Sequence, residues 1–299
     1  MNALETQIYN EYHARLPAEF RGIGKKGLST DFRKVAETCK AVFFDAWGTL
    51  FIRKQLFPGA RETVAGLRKA GLKVRLVTNS ASLGPSEIVR SMREKGFDFA
   101  EDEIFSSGSH LRSIAAELGI REVFHLGRNE SLPTVLEAGL RDVPDPELPV
   151  VAVTSVPLDS DGSIAREERA REILSRPGAV ALILNPDVSA PLVGGGRCWA
   201  AGAYGFRLAL GSGARVVRTG KPFPRLFGEA LASAGCRPEE AVMVGDTVGT
   251  DVAGGNAAGL RTLLVAQCFS PAEDWRKDCE ALGVWPDWTV PGIGAGFLP

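Results

Sequence analysis

Short apolar runs alternate with amphipathic helical patterns along most of this 299-residue chain, and this alternation constrains the fold more than any other feature. The apolar run Ala41–Phe44 is followed by a helical pattern formed by Val64, Leu67 and Ala70, and the next apolar run is Val74–Thr78. Buried strands that alternate with helices in this way build parallel sheets through right-handed crossovers. The sequence therefore predicts an α/β fold with a parallel sheet.

A second alternating unit interrupts the first between residues 113 and 214. It has its own apolar runs, at Val123–His125, Val150–Val153 and Val180–Leu184. A unit of this size is expected to be an inserted α/β domain. The predicted division is an N-terminal extension (1–36), a core (37–112 and 215–299) and the inserted domain (113–214). The tryptophan-containing tail after the last clear strand is interpreted as surface packing.

Charge and composition exclude several classes of protein. The formal net charge is −1, so the chain has no electrostatic footprint for nucleic acid or for an anionic membrane. The amino terminus lacks the pattern of a signal peptide, and no apolar run approaches membrane-spanning length. The five cysteines are scattered without a C-x-x-C pair, which predicts neither a zinc site nor a disulfide framework. We therefore expect a cytoplasmic protein without a nucleic-acid or membrane partner.

Polar residues suited to catalysis follow four of the predicted strands. They are Asp45, Thr78, Lys221, and the pair Asp246 and Asp251. Because all strands of a parallel sheet point the same way, these residues are expected to meet at the carboxyl edge, where open α/β sheets bind ligands. Each also has a simpler interpretation: Asp45 as a turn residue, Thr78 as a helix N-cap, and Lys221 as part of a Gly-Pro turn.

Three carboxylates gathered at one edge would repel one another and raise each other's pKa. A divalent cation removes this repulsion, and a few hard oxygen ligands suit Mg²⁺ that keeps several waters and also binds a substrate phosphate. Lys221 would offset the charge of a nucleophile and of a bound phosphoryl group. Thr78 and the backbone N–H groups that follow Asp45 and Thr78 can hold phosphate oxygens. The expected ligands are Mg²⁺ and a small phosphorylated metabolite.

Four short motifs stand in order along the chain, at Phe44–Leu50, Val77–Ser80, Gly220–Pro222 and Val244–Asp251. In this order they resemble the motifs of the haloacid dehalogenase (HAD) superfamily of aspartate-nucleophile hydrolases. Its class IIA, nitrophenylphosphatase-like branch is similar in four further patterns, at Pro58–Ala60, Thr78–Ser82, Asn185–Asp187 and Asp251–Gly259. The resemblance covers residues 37–267. It implies a Rossmann-like, doubly wound core with an inserted α/β cap of the C2 type.

The resemblance also implies roles for individual residues. The catalytic residues would be Asp45, Thr78 and Lys221. The Mg²⁺ ligands would be Asp45, Asp246, Asp251 and the backbone carbonyl of Trp47. The substrate-binding group would comprise Ala46, Trp47, Asn79, Ser80, Asn185 and Arg197. Caps of this kind often pair between subunits, so a homodimer is a further expectation.

Trp47 departs from the phosphatase pattern of this family. Phosphatases of the family carry a second aspartate two residues after the nucleophile, which protonates the leaving oxygen and later activates water. An indole cannot exchange a proton in this way, and such acid–base help contributes about 10²- to 10⁴-fold to a rate. Dehalogenases of the family have an aromatic residue at this position, and a halide leaves without a proton.

Three functions are therefore compatible with the sequence. The first is a Mg²⁺-dependent phosphatase in which another acid, or an acidic leaving group, replaces the missing proton donor. It is favoured because Asp246 and Asp251 are retained, whereas a metal-free dehalogenase does not need them. The second is a dehalogenase-like hydrolase that acts at carbon. The third is a regulatory protein that binds a phosphoester without turning it over.

Overall fold

The computed structural model describes residues 28–157, 163–193, 196–269 and 275–296. Most of the predicted N-terminal extension, residues 1–27, lies outside the described residues. The strands in chain order are β1 (Leu28–Ser29), β2 (Ala41–Phe44), β3 (Phe51–Ile52), β4 (Gln55–Leu56), β5 (Lys73–Thr78), β6 (Ile104–Ser106), β7 (Glu122–Leu126), β8 (Arg141–Asp142), β9 (Val150–Val153), β10 (Val180–Ile183), β11 (Ser189–Pro191), β12 (Arg197–Trp199), β13 (Arg215–Arg218), β14 (Ala241–Gly245), β15 (Arg261–Val265) and β16 (Trp288–Val290).

The α-helices in chain order are α1 (Phe32–Ala36), α2 (Ala60–Lys69), α3 (Pro85–Glu94), α4 (Leu111–Leu118), α5 (Leu132–Glu137), α6 (Ser163–Leu174), α7 (Ala201–Ala209), α8 (Pro224–Ala234), α9 (Ala253–Ala257) and α10 (Trp275–Leu282). A turn of π-helix, Val248–Val252, follows β14. Across the described parts of the chain, every helix is too short or too polar to cross a bilayer.

The larger sheet has seven parallel strands in the order β1-β16-β15-β14-β2-β5-β6. Strand β2, which lies beside the central strand β14, is buried throughout, and its successive side chains point to opposite faces of the sheet. Phe44 packs with Leu67 of α2 on one face, and Phe43 packs with Phe227 of α8 on the other. Helices on both faces of a parallel sheet confirm the predicted doubly wound α/β fold.

The smaller sheet has five parallel strands in the order β13-β10-β9-β7-β8. It belongs to the inserted unit, which we call the cap, and the antiparallel hairpin β11–β12 extends from it. Strand β13 pairs with β10 along its whole length, from Val180↔Arg215 to Ile183↔Arg218. Residues 215–218, which the sequence assigned to the core, therefore lie in the cap sheet. The rest of the predicted division at residues 112 and 214 stays a prediction.

Both ends of the described chain contribute to the larger sheet. Strand β1 pairs with β16, and β16 pairs with β15. Phe32 and Val35 of α1 are buried in the core, and Phe32 lies 6.2 Å from the ring of Phe44. The structure therefore corrects two predictions. Residues 28–36 were predicted to lie outside the core and the tail was predicted to be surface packing, but each contributes a strand to the larger sheet. Strands of two or three residues have too little periodicity to be recognised in a sequence.

A buried histidine makes the stability of the cap depend on pH. His125, on β7, is 4% exposed, and its Nε2 lies 2.8 Å from Thr154 Oγ1 and 3.1 Å from Ser131 Oγ. Burial lowers the pKa of His125 to about 4. The unfolded chain binds this proton near pH 6.5 and the folded chain near pH 4. The contribution of His125 to the free energy of unfolding is therefore fully present above pH 6.5, and it falls by on the order of 3 kcal/mol as the pH drops to 4.

We expect His125→Gln to reduce the decrease in the free energy of unfolding between pH 6.5 and pH 4. The variant is expected to be less stable at pH 7, because it loses a buried hydrogen-bond network, but to lose less additional stability between pH 6.5 and pH 4. Urea unfolding at several pH values measures both quantities. Subtracting the two curves removes the contribution of the carboxylates that the two proteins share. Parallel curves over this pH range would contradict the assignment.

Candidate active site

Three predicted residues leave the larger sheet from neighbouring strands. Asp45 follows β2, Thr78 ends β5 and Asp246 follows β14, and these three strands are adjacent in the order β14-β2-β5. The three residues are 7%, 4% and 1% exposed. The carboxyl edge of the sheet thus brings them to one place, as the strand-end pattern predicts.

Lys221 reaches the same edge by a different route from the predicted one. It follows β13, which is a strand of the cap sheet, so it is not at the end of a core strand. Its Nζ lies 2.6 Å from Asp45 Oδ1 and 2.7 Å from Asp251 Oδ1, and the residue is 1% exposed. Burial opposes the charge of Lys221, but the carboxylates of Asp251 and Asp45 outweigh it and raise the pKa. Lys221 is therefore a permanent cation beside Asp45.

Asp45, Asp246 and Asp251 form an acidic trio. Each offers a carboxylate oxygen, and the three oxygens lie within 4.8 Å of one another. Burial raises the pKa of Asp45 to about 7, although Lys221 opposes the rise. Burial also raises the pKa of Asp246 well above its usual range, and the charges of Asp45 and Asp251 add to the rise. One positive side chain cannot balance three ionised acids, so the trio would carry excess negative charge when fully ionised.

The acidic trio fits a divalent cation. Oδ2 of Asp246 is buried and has no hydrogen-bond partner among the described residues. A buried carboxylate oxygen without a partner is costly, and a hard cation that takes oxygen ligands would satisfy it. The backbone carbonyl of Trp47, predicted as a further ligand, stays a prediction.

Two glycines make room for the acids. Gly48 has φ of +89°, and a Cβ on it would lie 2.3 Å from Asp246 Oδ2. A Cβ on Gly245 would lie 2.1 Å from the Asp251 carboxylate. The turn that contains Gly48 is also held from outside, because Gln267 Nε2 donates to the carbonyls of Gly48 and Thr49 at 3.0 and 2.8 Å. Both glycines are therefore required by close approach of the acids.

Asn79 connects the second motif to the third. Its Oδ1 accepts a hydrogen bond from the backbone N–H of Lys221 at 2.6 Å, and its Nδ2 donates to the Lys221 carbonyl at 3.0 Å. The same Nδ2 donates to Asp187 Oδ1 in the cap at 2.8 Å. Ser80 lines the cleft beside Thr78, and its N–H lies 3.3 Å from Thr78 Oγ1. The side chain of Asn79 is thus committed to holding Lys221 and the cap.

Trp47 lines the cleft where the family's proton donor would stand. Its indole Nε1 donates to the carbonyl of Pro191 at 3.1 Å, across the boundary between core and cap. The hydrogen bond joins residues 144 positions apart and ends on strand β11. The residue that lacks acid–base chemistry therefore connects the core to the cap.

The remaining predicted residues differ in position. Asn185 lines the cleft, and its Oδ1 accepts from the backbone N–H of Asp187 at 2.9 Å. Ala46 is buried and Arg197 is exposed on β12, where its Nε donates to Ser189 Oγ at 2.7 Å. Neither Ala46 nor Arg197 belongs to the cleft wall formed by the described residues. Their roles in binding substrate stay predictions.

The cleft has a volume of about 350 Å³ and contains residues that were not predicted. From the cap they include Arg128, Thr154, Ser155 and Asp187. Arg128, Thr154 and Ser155 follow strands β7 and β9, at the carboxyl edge of the second parallel sheet. The strand-end rule that finds Asp45 would have found these residues if it had been applied to the cap as well.

The arrangement is suited to attack by a carboxylate. Asp45 is held by Lys221 within a trio that fits a cation, and the cleft above it is lined by hydroxyl and amide groups. A cation and a lysine beside a nucleophile stabilise negative charge that develops in the transition state.

Comparisons with known proteins agree with this geometry. The family model described as haloacid dehalogenase-like hydrolase matches residues 42–141, and a second model of HAD-hydrolase-like proteins matches residues 218–294. The two matched segments contain every member of the acidic trio as well as Lys221.

Individual relatives extend over most of the chain. Haloacid dehalogenase-like hydrolase domain-containing protein 2 of Homo sapiens is 31% identical over 248 residues, which cover 80% of this chain and 88% of the relative. Phospholysine phosphohistidine inorganic pyrophosphate phosphatase of Xenopus laevis is 28% identical and covers 83% and 91%. The solved p-nitrophenyl phosphatase of Archaeoglobus fulgidus is 25% identical, with a TM-score of 0.71 over 87% of this chain and 98% of that one. By its motifs, its fold and these relatives, the chain belongs to the haloacid dehalogenase-like hydrolases.

Proposed function

We propose that the protein is a Mg²⁺-dependent phosphatase that acts on a small phosphorylated metabolite through an aspartate nucleophile. The observation that carries this proposal is the buried acidic trio, which has an unpartnered Asp246 oxygen and lies against the Asp45–Lys221 pair. Two of the similar proteins are named as phosphatases: a p-nitrophenyl phosphatase, and a phospholysine phosphohistidine inorganic pyrophosphate phosphatase.

Each residue of the site would have a separate chemical role in this reaction. A carboxylate oxygen of Asp45 attacks phosphorus, and the bond to the leaving oxygen breaks. Lys221 stabilises both the nucleophile and the transferring phosphoryl group, and the hydroxyl of Thr78 binds a phosphoryl oxygen. Asp45, Asp246 and Asp251 would hold Mg²⁺, which when bound neutralises phosphate charge. Water then hydrolyses the aspartyl phosphate and regenerates Asp45.

The two alternative functions have less support. A dehalogenase that needs no metal gives no reason for a buried trio of acids, whose mutual repulsion costs stability. A binding protein that never turns over its ligand gives no reason to hold Asp45 within 2.6 Å of Lys221. The indole of Trp47 has a structural use in its bond to Pro191, so it need not indicate carbon–halogen chemistry.

A substrate screen tests the proposal. Wild-type protein is assayed on phosphomonoesters of graded leaving-group acidity, with and without Mg²⁺, beside a panel of haloacids. The proposal expects phosphate release that requires Mg²⁺. Halide release without metal would overturn it in favour of a dehalogenase, and phosphoester binding without products would overturn it in favour of a regulatory protein.

Magnesium is expected to bind the folded protein without any substrate. Because a cation relieves repulsion among the acidic trio, Mg²⁺ at about one hundred times its dissociation constant should stabilise the fold by about 2.7 kcal/mol. Thermal unfolding with EDTA and with added Mg²⁺ measures the effect. Asp246→Asn is expected to abolish most of this response, whereas Asp98→Asn, at an exposed position away from the cleft, should retain it. An equal Mg²⁺ response in both variants would exclude a site at the trio.

A further inference from the structure

Tryptophan occupies position 47, where phosphatases of the family have their proton donor. Another group must therefore supply the proton when the leaving group is basic. Four carboxylates line the described part of the cleft: the acidic trio and Asp187. The trio is assigned to the nucleophile and the cation. Asp187 is therefore the one carboxylate of the described cleft wall that has no role so far.

Asp187 enters the cleft from the cap, on the segment between β10 and β11. Its Oδ1 accepts a hydrogen bond from Asn79 Nδ2, and its backbone carbonyl accepts from the N–H of Gly202 at 2.9 Å. Its Oδ2 makes no hydrogen bond with any described residue. One carboxylate oxygen thus fixes the side chain, while the other stays available to a ligand in the cleft.

Trp47 holds the same segment of the cap at a second point. Its bond ends on the carbonyl of Pro191, four residues after Asp187, while Asn79 holds Asp187 directly. The segment is therefore attached to the core at both points. The tryptophan that takes the place of the acidic residue also anchors the segment that brings another acid to the cleft.

We propose that Asp187 is the proton donor and acceptor of this active site, in place of the motif residue at position 47. The inference rests on the proposed phosphatase function. In the first step, protonated Asp187 gives its proton to the leaving oxygen as the phosphorus–oxygen bond breaks and Asp45 becomes phosphorylated. In the second step, the Asp187 carboxylate accepts a proton from water as that water attacks phosphorus, which releases phosphate and restores both acids.

The surroundings of Asp187 suit both protonation states. Burial raises its pKa to about 6, a rise that the charge of Lys221 and the hydrogen bond from Asn79 oppose. A pKa near the working pH allows one group to act as acid in one step and as base in the next.

The test compares two substrates in Asp187→Asn. Asparagine keeps the shape of the side chain and can accept the hydrogen bond from Asn79, but it cannot exchange a proton. p-Nitrophenyl phosphate has an acidic leaving group, and glycerol phosphate has a basic one. We expect kcat/KM for glycerol phosphate to fall by about 10²- to 10⁴-fold, and kcat/KM for p-nitrophenyl phosphate to fall by less than about tenfold.

A rescue variant and a control sharpen the test. Trp47→Asp added to Asp187→Asn restores an acid at the motif position and should recover most of the lost kcat/KM for glycerol phosphate. Asp145→Asn, at a position 61% exposed on the cap surface, should leave both substrates unaffected. Because the ratio of the two substrates is internal to each variant, partial loss of folded protein does not change it.

The outcomes separate this inference from the proposed function. If the wild type cleaves both substrates and Asp187→Asn is impaired equally on both, or on neither, Asp187 is not the proton donor and the phosphatase function stands. If the wild type cleaves no phosphomonoester with Mg²⁺ present, the proposed function fails and this inference fails with it.

Discussion

Asp45→Asn is expected to lower the turnover of a phosphomonoester by on the order of 10⁴-fold or more. The amide cannot form the aspartyl phosphate, and it also loses the charge of the carboxylate whose Oδ1 lies 2.6 Å from Lys221 Nζ. Steady-state phosphate release measures the loss. Trapping of a labelled phosphoenzyme in the wild type, and its absence in the variant, distinguishes loss of the nucleophile from a general loss of activity.

The fold should survive this change. Asparagine has nearly the volume of aspartate, and it removes one of three mutually repelling carboxylates, so metal-free Asp45→Asn should unfold at or above the wild-type temperature. Asp98→Asn serves as the exposed control, with wild-type turnover. Retention of even a tenth of wild-type turnover by Asp45→Asn would show that another group attacks phosphorus.

Lys221→Met is expected to destabilise the protein by roughly 3–5 kcal/mol near neutral pH, because it leaves the buried Asp45 and Asp251 carboxylates without their cation. Activity should be lost as well, since the charge that stabilises the transferring group is gone. Urea unfolding of the metal-free protein measures the free energy. The deficit should shrink at acidic pH, because burial raises the pKa of Asp45 to about 7 and its protonation removes part of the charge that Lys221 balances.

Lys73→Met is the matched control, because Lys73 is exposed at the start of β5 and makes no ion pair with any described residue. It should change the free energy of unfolding by less than about 0.5 kcal/mol. An unchanged unfolding free energy in Lys221→Met, or a deficit that does not depend on pH, would mean that the trio is not balanced by this lysine.

The sequence predicted the parts of the site that follow strand ends of the core. Asp45, Thr78 and Asp246 each come directly after an apolar run, and one physical rule, that parallel strands share a carboxyl edge, brings them together. The same rule predicted that Lys221 lies at this edge, but it assigned the preceding strand to the wrong sheet. Lys221 follows a cap strand and reaches the edge through the connection from cap to core. Strands β1 and β16, at one end of the larger sheet, were not predicted, because two or three residues carry no periodic signal.

By itself, the sequence determined the doubly wound α/β class, the family and the acids that face one edge, because these depend on local patterns of burial and on short motifs. Only the tertiary structure decided that Asp187 meets the cleft, since the bonds from Asn79 to Asp187 and from Trp47 to Pro191 join positions more than one hundred residues apart. Contacts of that range depend on how two separate sheets are set against each other, which no local pattern of side chains specifies.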